Sequence, residues 1–382
     1  MPPLIDAALR PTCLCTGVPE GYNDLQRRYT LIDAPKTSAA MHLSGMSLPG
    51  GWGVKFLIPR PAGRSNGSYS VSYTVENEDG SQGFLKALDY SRAFSSPDPA
   101  LAISTMTQAY LHERELLSRC GSRNLRRVVR ALGSGSVSVP GFEITVNYII
   151  FERADGDLRA QMDALDRIDD AWRARTLHQI ATALQELHRL GIAHQDLKPA
   201  NVLTFGPDNS KVADLGRSVC RDLTCPYENE AIPGTRSYAP PELLYGSPPT
   251  DFHRRRFGCD AYLLGSMATY LFTGTASTTL LLSYAHPDHA PTQWADGFDA
   301  VLPYLKDAFA KVLETLEGKL NVTVEVRVDL LASIRELCEP DPSRRGHPAN
   351  LNRPDSQYSV EQYVTRFDLI AYRLEYMTRK AS

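Results

Sequence analysis

Residues 194–203 restrict the fold and chemistry of this chain more than any other part of its sequence. They read His-Gln-Asp-Leu-Lys-Pro-Ala-Asn-Val-Leu, so a lysine follows the aspartate by two residues and an asparagine follows it by five. These groups suit phosphoryl transfer. Asp196 can orient an attacking hydroxyl and accept its proton, Lys198 can neutralise charge on the moving phosphoryl group, and the amide oxygen of Asn201 can hold a metal ion.

A second motif lies in residues 211–216, a short apolar stretch that ends in Asp214 before a leucine and a glycine. An aspartate in this place can chelate a Mg²⁺ ion that bridges nucleotide phosphates. Gly216 permits a sharp backbone turn directly afterwards. The two motifs together predict a site for nucleotide phosphates and a divalent cation.

These residues resemble two motifs of the protein kinase family. Residues 194–201 are similar to its His-Arg-Asp catalytic loop, and residues 214–216 are similar to its Asp-Phe-Gly metal motif. Further resemblances follow in the order that the family has. They are an Ala-Pro-Glu element at 234–242, the start of a buried helix at 260–265, and a late arginine element at 337–345.

The resemblance covers roughly residues 50–375 and implies structural roles for three further side chains. Asp260 would brace the catalytic loop from the buried helix. Arg345 would pair with Glu242, the glutamate of the Ala-Pro-Glu element. The ordered series of motifs supports the resemblance more strongly than any single motif does.

Strand patterns precede helical patterns along the chain. Apolar patterns, which alternate strictly only in 69–75, predict strands at 54–58, 69–75, 84–88, about 125–132 and 145–151. Apolar residues at three- and four-residue spacings predict helices at about 99–119 and 172–190, the latter ending before Gly191. We therefore predict an α+β fold of the two-lobed protein kinase type, with a small antiparallel β-rich N-lobe and a larger, mainly α-helical C-lobe. The predicted divisions are an N-terminal extension (1–48), the N-lobe (49–152) and the C-lobe (153–382).

The resemblance also implies a set of nucleotide-binding residues. Lys86, in the third strand, would bind the α- and β-phosphates and pair with Glu113 of the following helix, for which Glu115 is the alternative. The backbone of Glu152 and Ala154, just after Phe151, would bind adenine. Asp157 would lie near the ribose, although an aspartate there can instead cap the next helix.

The loop that should cover the phosphates matches the family poorly. Residues 63–71 retain Gly63, Gly67 and the closing Val71, but they lack the usual three-glycine pattern, and Ser70 stands near the place of the third glycine. A turn of this kind can still offer backbone N–H groups to phosphate. The expected cofactors are ATP and Mg²⁺, with Mn²⁺ as an alternative ion, and the sequence leaves open whether this loop weakens ATP binding.

Gln195 departs from the family, which has an arginine before the catalytic aspartate. In the family that arginine meets a phosphate on the activation segment, a charge-assisted contact of about 1.5–3 kcal/mol. A neutral glutamine cannot neutralise that charge, so we predict activity that does not depend on phosphorylation of the activation segment. Leu215 replaces the phenylalanine of the metal motif and remains apolar. Residues 302–316 predict an amphipathic helix that either covers the core or forms a partner surface.

Three functions are consistent with these motifs. The first is a serine/threonine protein kinase with a protein substrate, favoured by Lys198 and Thr235, which that branch of the family uses. The second is a small-molecule phosphotransferase of the aminoglycoside or choline kinase kind, which would lack the Ala-Pro-Glu element. The third is a nucleotide-binding pseudokinase or scaffold, which only the degraded glycine loop favours.

Charge and cysteine content narrow the choice of partners and location. The net charge of −3 gives no general attraction to nucleic acid or anionic membranes, and no apolar run is long enough to span a membrane. The basic run 253–256 fits a solvated loop or, less well, a docking patch. Seven cysteines without a repeated spacing fit free thiols in a reducing cytoplasm. The oligomeric state and the physiological substrate are not encoded in any recognisable pattern.

Overall fold

The computed structural model describes residues 38–59, 70–164 and 169–381 of the 382-residue chain. Gly63 and Gly67, which the resemblance assigned to the phosphate loop, lie outside the described residues, as does most of the proposed extension 1–48. One compact unit begins at Ala39.

Within the described ranges, the small lobe is built on a six-stranded antiparallel sheet with the strand order β1-β2-β3-β4-β6-β5. Its strands are β1 (Ser47–Leu48), β2 (Trp52–Ile58), β3 (Ser70–Asn77), β4 (Gln82–Leu88), β5 (Ala131–Val137) and β6 (Val146–Glu152). The sheet therefore includes residues 47–48, which the sequence analysis placed in the N-terminal extension. Tyr73 and Leu85 are fully buried in the core beneath it.

The strand expected at about 125–132 was misplaced, because the strand of the sheet begins only at Ala131. The preceding residues instead run beside a strand of the large lobe. Val128 forms a parallel bridge with Val212, and the Val129 amide donates to the Val212 carbonyl at 2.8 Å. This short stretch consequently joins the two lobes.

Helix α1 (Pro99–Ser122) crosses the small lobe and starts with strong local signals. The Asp98 carboxylate accepts a hydrogen bond from the Leu101 amide at 3.0 Å, and Pro99 occupies the first turn. The helix buries Leu116, Leu117 and Glu113 on its inner face. The glutamate is the residue that the resemblance selected for the pairing with Lys86.

The large lobe is mainly helical. Its helices are α2 (Leu158–Ala164), α3 (Asp170–Arg189), α4 (Pro241–Leu244), α5 (Gly258–Thr273), α6 (Ser277–Tyr284), α7 (Phe298–Lys319), α8 (Val324–Leu337) and α9 (Glu361–Ala381). Its short antiparallel strands are β7 (Gly156–Asp157), β8 (Ile192–Ala193), β9 (Val202–Thr204), β10 (Ser210–Val212) and β11 (Val219–Cys220). The strands pair in the orders β10-β9-β7 and β11-β8.

Helices α3 and α5 form the centre of the large-lobe core. Asp169 caps α3, and Gly191, at a φ of +70°, follows its C-terminal end as the sequence predicted. Helix α5 is apolar on nearly all sides and almost completely buried, as expected of a central helix. Helix α7 contains the predicted amphipathic stretch and buries Leu305, Phe309, Val312 and Leu316, so its apolar face covers the core. Among the residues described, no helix combines the length and apolarity needed to cross a membrane.

The predicted ion pair between Arg345 and Glu242 lies at the base of this lobe. The two side chains are at most 2% exposed and form two parallel hydrogen bonds of 2.7 and 2.8 Å. The guanidinium also donates to the carbonyl of Gly258, the first residue of α5. The pair therefore fixes the Ala-Pro-Glu element to the central helix.

Arg345→Met should lower the free energy of unfolding by about 3–5 kcal/mol, because it leaves the buried Glu242 carboxylate without a partner. Urea denaturation followed by circular dichroism would measure this loss. Arg344→Ala is the matched control, since Arg344 is exposed, and its effect should stay within about 0.5 kcal/mol. A loss for Arg345→Met as small as that of the control would contradict the structural role of the pair.

Candidate active site

The loop 194–201 is held in place by the buried carboxylate of Asp260 at the start of α5. Its oxygens accept hydrogen bonds from the backbone amides of His194 at 2.7 Å and Gln195 at 2.8 Å, and one also lies 2.9 Å from Nε2 of His188. Burial alone would raise the pKa of Asp260, but these partners, His188 first among them, hold it below its usual range. Asp260 thus braces the loop in the manner that the resemblance implied.

The Asp196 carboxylate lies at the centre of the site and is nearly buried. Its Oδ2 accepts hydrogen bonds from Lys198 Nζ at 2.7 Å and from Asn201 Nδ2 at 3.2 Å. Its Oδ1 accepts two from Thr235, one from the amide at 2.7 Å and one from the hydroxyl at 2.8 Å. Lys198 Nζ also donates to the Thr235 hydroxyl at 2.8 Å, so the three side chains form a closed network.

Gly234 brings the 214–242 segment against the catalytic loop. A Cβ atom at this position would overlap the Gln195 carbonyl oxygen and lie 3.0 Å from Asp196 Oδ1. Only a glycine therefore lets the backbone pass this closely. The contact places the next residue, Thr235, on the Asp196 carboxylate.

Asp214 and Asn201 offer the donor set that a hard divalent cation prefers. The positive charge of Lys86 keeps the pKa of Asp214 below its usual range, so its half-exposed carboxylate is ionised at neutral pH. The side-chain amide of Asn201 donates two hydrogen bonds from Nδ2 to Asp196, so its oxygen is the atom suited to bind a metal. One carboxylate and one amide oxygen fit Mg²⁺ or Mn²⁺.

Lys86 bridges Glu113 and Asp214 at the inner end of the cleft. Its Nζ lies 3.1 Å from Glu113 Oε2 and 3.5 Å from Asp214 Oδ1. Burial alone would lower the pKa of the lysine, but the two carboxylates outweigh that effect and raise it. Glu115, the alternative partner, is half exposed and pairs with Arg119 instead, because it lies on another side of α1.

A cavity of about 970 Å³ joins these groups. Its walls include Lys86, Glu113, Asp196, Lys198 and Asp214, five of the residues that the sequence analysis selected. The cavity also extends along the first half of α1 and along the 214–242 segment. A volume of this size is sufficient for a small-molecule ligand.

Val71 is not brought into this cavity. It pairs with Ala87 across β3 and β4, whereas Lys86 pairs with Ser72. Because successive side chains of a strand point to opposite faces, Val71 lies on the core side of the sheet and Ser70 lines the cavity instead. The assignment of Val71 to nucleotide binding is therefore corrected by the strand register.

Glu152, Ala154 and Asp157 lie on the connection between the lobes, and none of them lines the described cavity. The Glu152 carboxylate pairs with Lys211 at 2.7 Å and ties β6 to β10. Asp157 Oδ1 accepts a hydrogen bond from the Ala160 amide at 2.8 Å. The structure thus gives Asp157 the helix-capping contact that the sequence analysis held as the alternative to a ribose contact.

Contacts within and onto the 214–242 segment were not predicted from the sequence. The Glu230 carboxylate accepts two hydrogen bonds from Arg217, and the Arg217 guanidinium stacks 4.2 Å from the ring of Tyr227. Arg255 and Arg256, from the basic run, donate to main-chain carbonyls of the same segment. The run of arginines in the sequence indicated positive charge, but no local pattern indicated that these side chains bond the main chain of this segment.

Residues 65–348 match the protein kinase domain family. A probable serine/threonine-protein kinase of Corynebacterium efficiens is 26% identical over 240 residues, which cover 61% of this chain and 35% of that relative. The probable serine/threonine-protein kinase PknB of Corynebacterium glutamicum is 30% identical over 176 residues, covering 44% of this chain and 26% of the relative.

A third relative, cyclin-dependent kinase 17 of Caenorhabditis elegans, is 31% identical over 153 residues, covering 38% of this chain and 23% of the relative. The matched parts thus span about a third or less of the length of these curated relatives. The matched range 65–348, however, contains the catalytic loop, the metal motif and the Ala-Pro-Glu element. Since it covers well over half of the residues, this chain belongs to the protein kinase family.

Proposed function

We propose that this chain is an active serine/threonine protein kinase that transfers the γ-phosphoryl group of ATP to a hydroxyl of another protein. The observation that supports this proposal most directly is the hydrogen-bond network of the Asp196 carboxylate with Lys198, Asn201 and Thr235. It supplies a buried carboxylate for the attacking hydroxyl and a cation beside it. The relatives whose names include serine/threonine-protein kinase support the same reading.

Each residue has a defined part in the proposed reaction. Asp196 orients the substrate hydroxyl and accepts its proton as the bond from that oxygen to the γ-phosphorus forms and the bond to the β,γ-bridging oxygen breaks, which releases ADP. Lys198 neutralises charge on the transferred group, and Lys86 binds the α- and β-phosphates. Asn201 and Asp214 would hold Mg²⁺, which supplies electrostatic stabilisation of the phosphates when bound.

The structure gives less support to the two other functions. A small-molecule phosphotransferase of the kind considered above would lack the Ala-Pro-Glu element, whereas here that element carries the buried Glu242–Arg345 pair. A pseudokinase would commonly have lost part of the catalytic set. Here Lys86, Asp196 and Asp214 are all present, and their side chains line one cavity.

Asp196→Ala should reduce the rate of phosphate transfer by about 10²–10⁴-fold, because it removes the group that orients and deprotonates the hydroxyl. Nucleotide affinity should stay nearly unchanged. Transfer from γ-labelled ATP to a generic basic protein, together with a nucleotide-induced thermal shift, measures both quantities. Asp208→Ala is the matched control, since this exposed aspartate lies in the turn before β10. Equal rates for the two variants would overturn the assignment.

Asp214→Asn should weaken Mg²⁺-dependent nucleotide binding by about tenfold or more, because a charge-assisted contact contributes about 1.5–3 kcal/mol. Titration with a fluorescent nucleotide, with Mg²⁺ and with a chelator, separates the metal-dependent part of the affinity. Without metal the variant should bind as the unsubstituted protein does. A variant that still gains full affinity from Mg²⁺ would show that Asp214 holds no metal.

Removal of phosphate from the 214–242 segment should leave the turnover rate unchanged. The physical reason is that Arg255 and Arg256 hold the segment through its main-chain carbonyls, which need no phosphate, while Gln195 carries no charge. Rates before and after phosphatase treatment, with the phosphorylation state verified by intact-mass measurement, check this expectation. Turnover that disappears with the phosphate would refute it.

A further inference from the structure

The basic run 253–256 forms a single π-helical turn (His253–Phe257) directly before α5. The sequence favoured a solvated loop or a docking patch for this run. Arg254 is indeed exposed, but Arg256 is only 3% exposed. A π turn inserts one extra residue into a helical path, and Arg256 is the buried arginine of this turn.

The guanidinium of Arg256 connects two separate parts of the chain. Its Nη2 donates to the Glu228 carbonyl at 2.8 Å, and its Nη1 donates to the side-chain oxygen of Gln195 at 3.3 Å. In return, Gln195 Nε2 donates to the Arg256 carbonyl at 2.8 Å. The catalytic loop and the 214–242 segment are therefore joined through one side chain.

This contact does not depend on a negative charge. Within the described ranges, the hydrogen bonds of the Arg256 side chain go to an amide oxygen and a main-chain carbonyl, and burial holds the pKa of its guanidinium below the usual range. A buried cation is costly unless its donors meet acceptors, and here two of them meet neutral oxygens. Backbone carbonyls are present in the segment whether or not it is modified.

We propose that Arg256 is a positioning residue that clamps residues 221–235 onto the catalytic loop and so keeps Thr235 on Asp196. Arg255 adds a second contact, because its Nη2 donates to the Glu230 carbonyl at 3.1 Å. The effect on catalysis rests on the proposed kinase function. The clamp itself is a property of the fold, and it gives Gln195 a role as the acceptor in the bridge.

Hydrogen exchange and kinetics on Arg256→Ala test the clamp. Amide exchange in residues 221–235 should rise by about tenfold or more, and kcat/KM for the protein substrate should fall by a similar factor, because two bonds from a charged donor are lost. Nucleotide affinity should change less than about twofold, since Arg256 does not line the cavity. The control Arg254→Ala, in the same turn, should match the unsubstituted protein in all three measurements.

Two results would overturn the proposal. One is exchange in 221–235 that is equal in Arg256→Ala and Arg254→Ala. The other is an increase spread evenly over the large lobe, which would indicate a general loss of stability. If Arg256→Ala does not fold, Arg256→Lys replaces it, because lysine keeps the charge but cannot bond both acceptors as a planar guanidinium does. Exchange and kcat/KM at control values in that variant would also overturn the clamp.

The outcomes separate the clamp from the proposed function. If the unsubstituted protein transfers no phosphate to any acceptor, the kinase proposal fails. Exchange still reports the clamp in that case, since it needs no turnover. If transfer is normal but Arg256→Ala changes neither exchange nor kcat/KM, the kinase proposal stands and the clamp fails.

Discussion

One buried carboxylate, that of Asp260, sets the geometry on which the rest of the site depends. Its two oxygens accept the consecutive amides of His194 and Gln195, which holds Gln195 at a φ of +67°. A left-handed backbone is unfavourable for a residue with a side chain, so it persists only where neighbouring contacts impose it. That conformation turns the Gln195 side chain toward Arg256 and leaves the carbonyl of Gln195 against Gly234.

The side chains whose mutual placement was most predictable from the sequence are those whose chemistry and spacing are fixed together. Asp196, Lys198 and Asn201 belong to one short loop, so their mutual contacts follow once the loop is recognised. The pairings of Lys86 with Glu113 and of Arg345 with Glu242 were also confirmed, although each joins distant parts of the chain. In both cases a buried charge needs an opposite charge, which leaves few candidates for a partner.

Other features depend on tertiary structure that no local pattern contains. A shift of one residue in the pairing of β3 with β4 decides whether Val71 or Ser70 faces the cavity. The sequence before β3 contains no pattern that fixes this register. Asp157 looks the same in sequence as a capping residue and as a ribose ligand. Arg256 is buried within the π turn, whereas the pattern of charges in 253–256 predicts an exposed surface.

The four hydrogen bonds on Asp196 have a consequence for how a substrate enters. A carboxylate offers about four lone-pair positions, and two bonds from Thr235, one from Lys198 and one from Asn201 already use that number. Under the proposed function, an incoming hydroxyl must replace one of these donors, so one hydrogen bond to Asp196 is lost for each one formed. Such an exchange yields little net binding free energy. Affinity for a protein substrate must then come from contacts that its surface makes away from the reacting residue. The contacts that discriminate among substrates are therefore separate in space from the groups that carry out the chemical step.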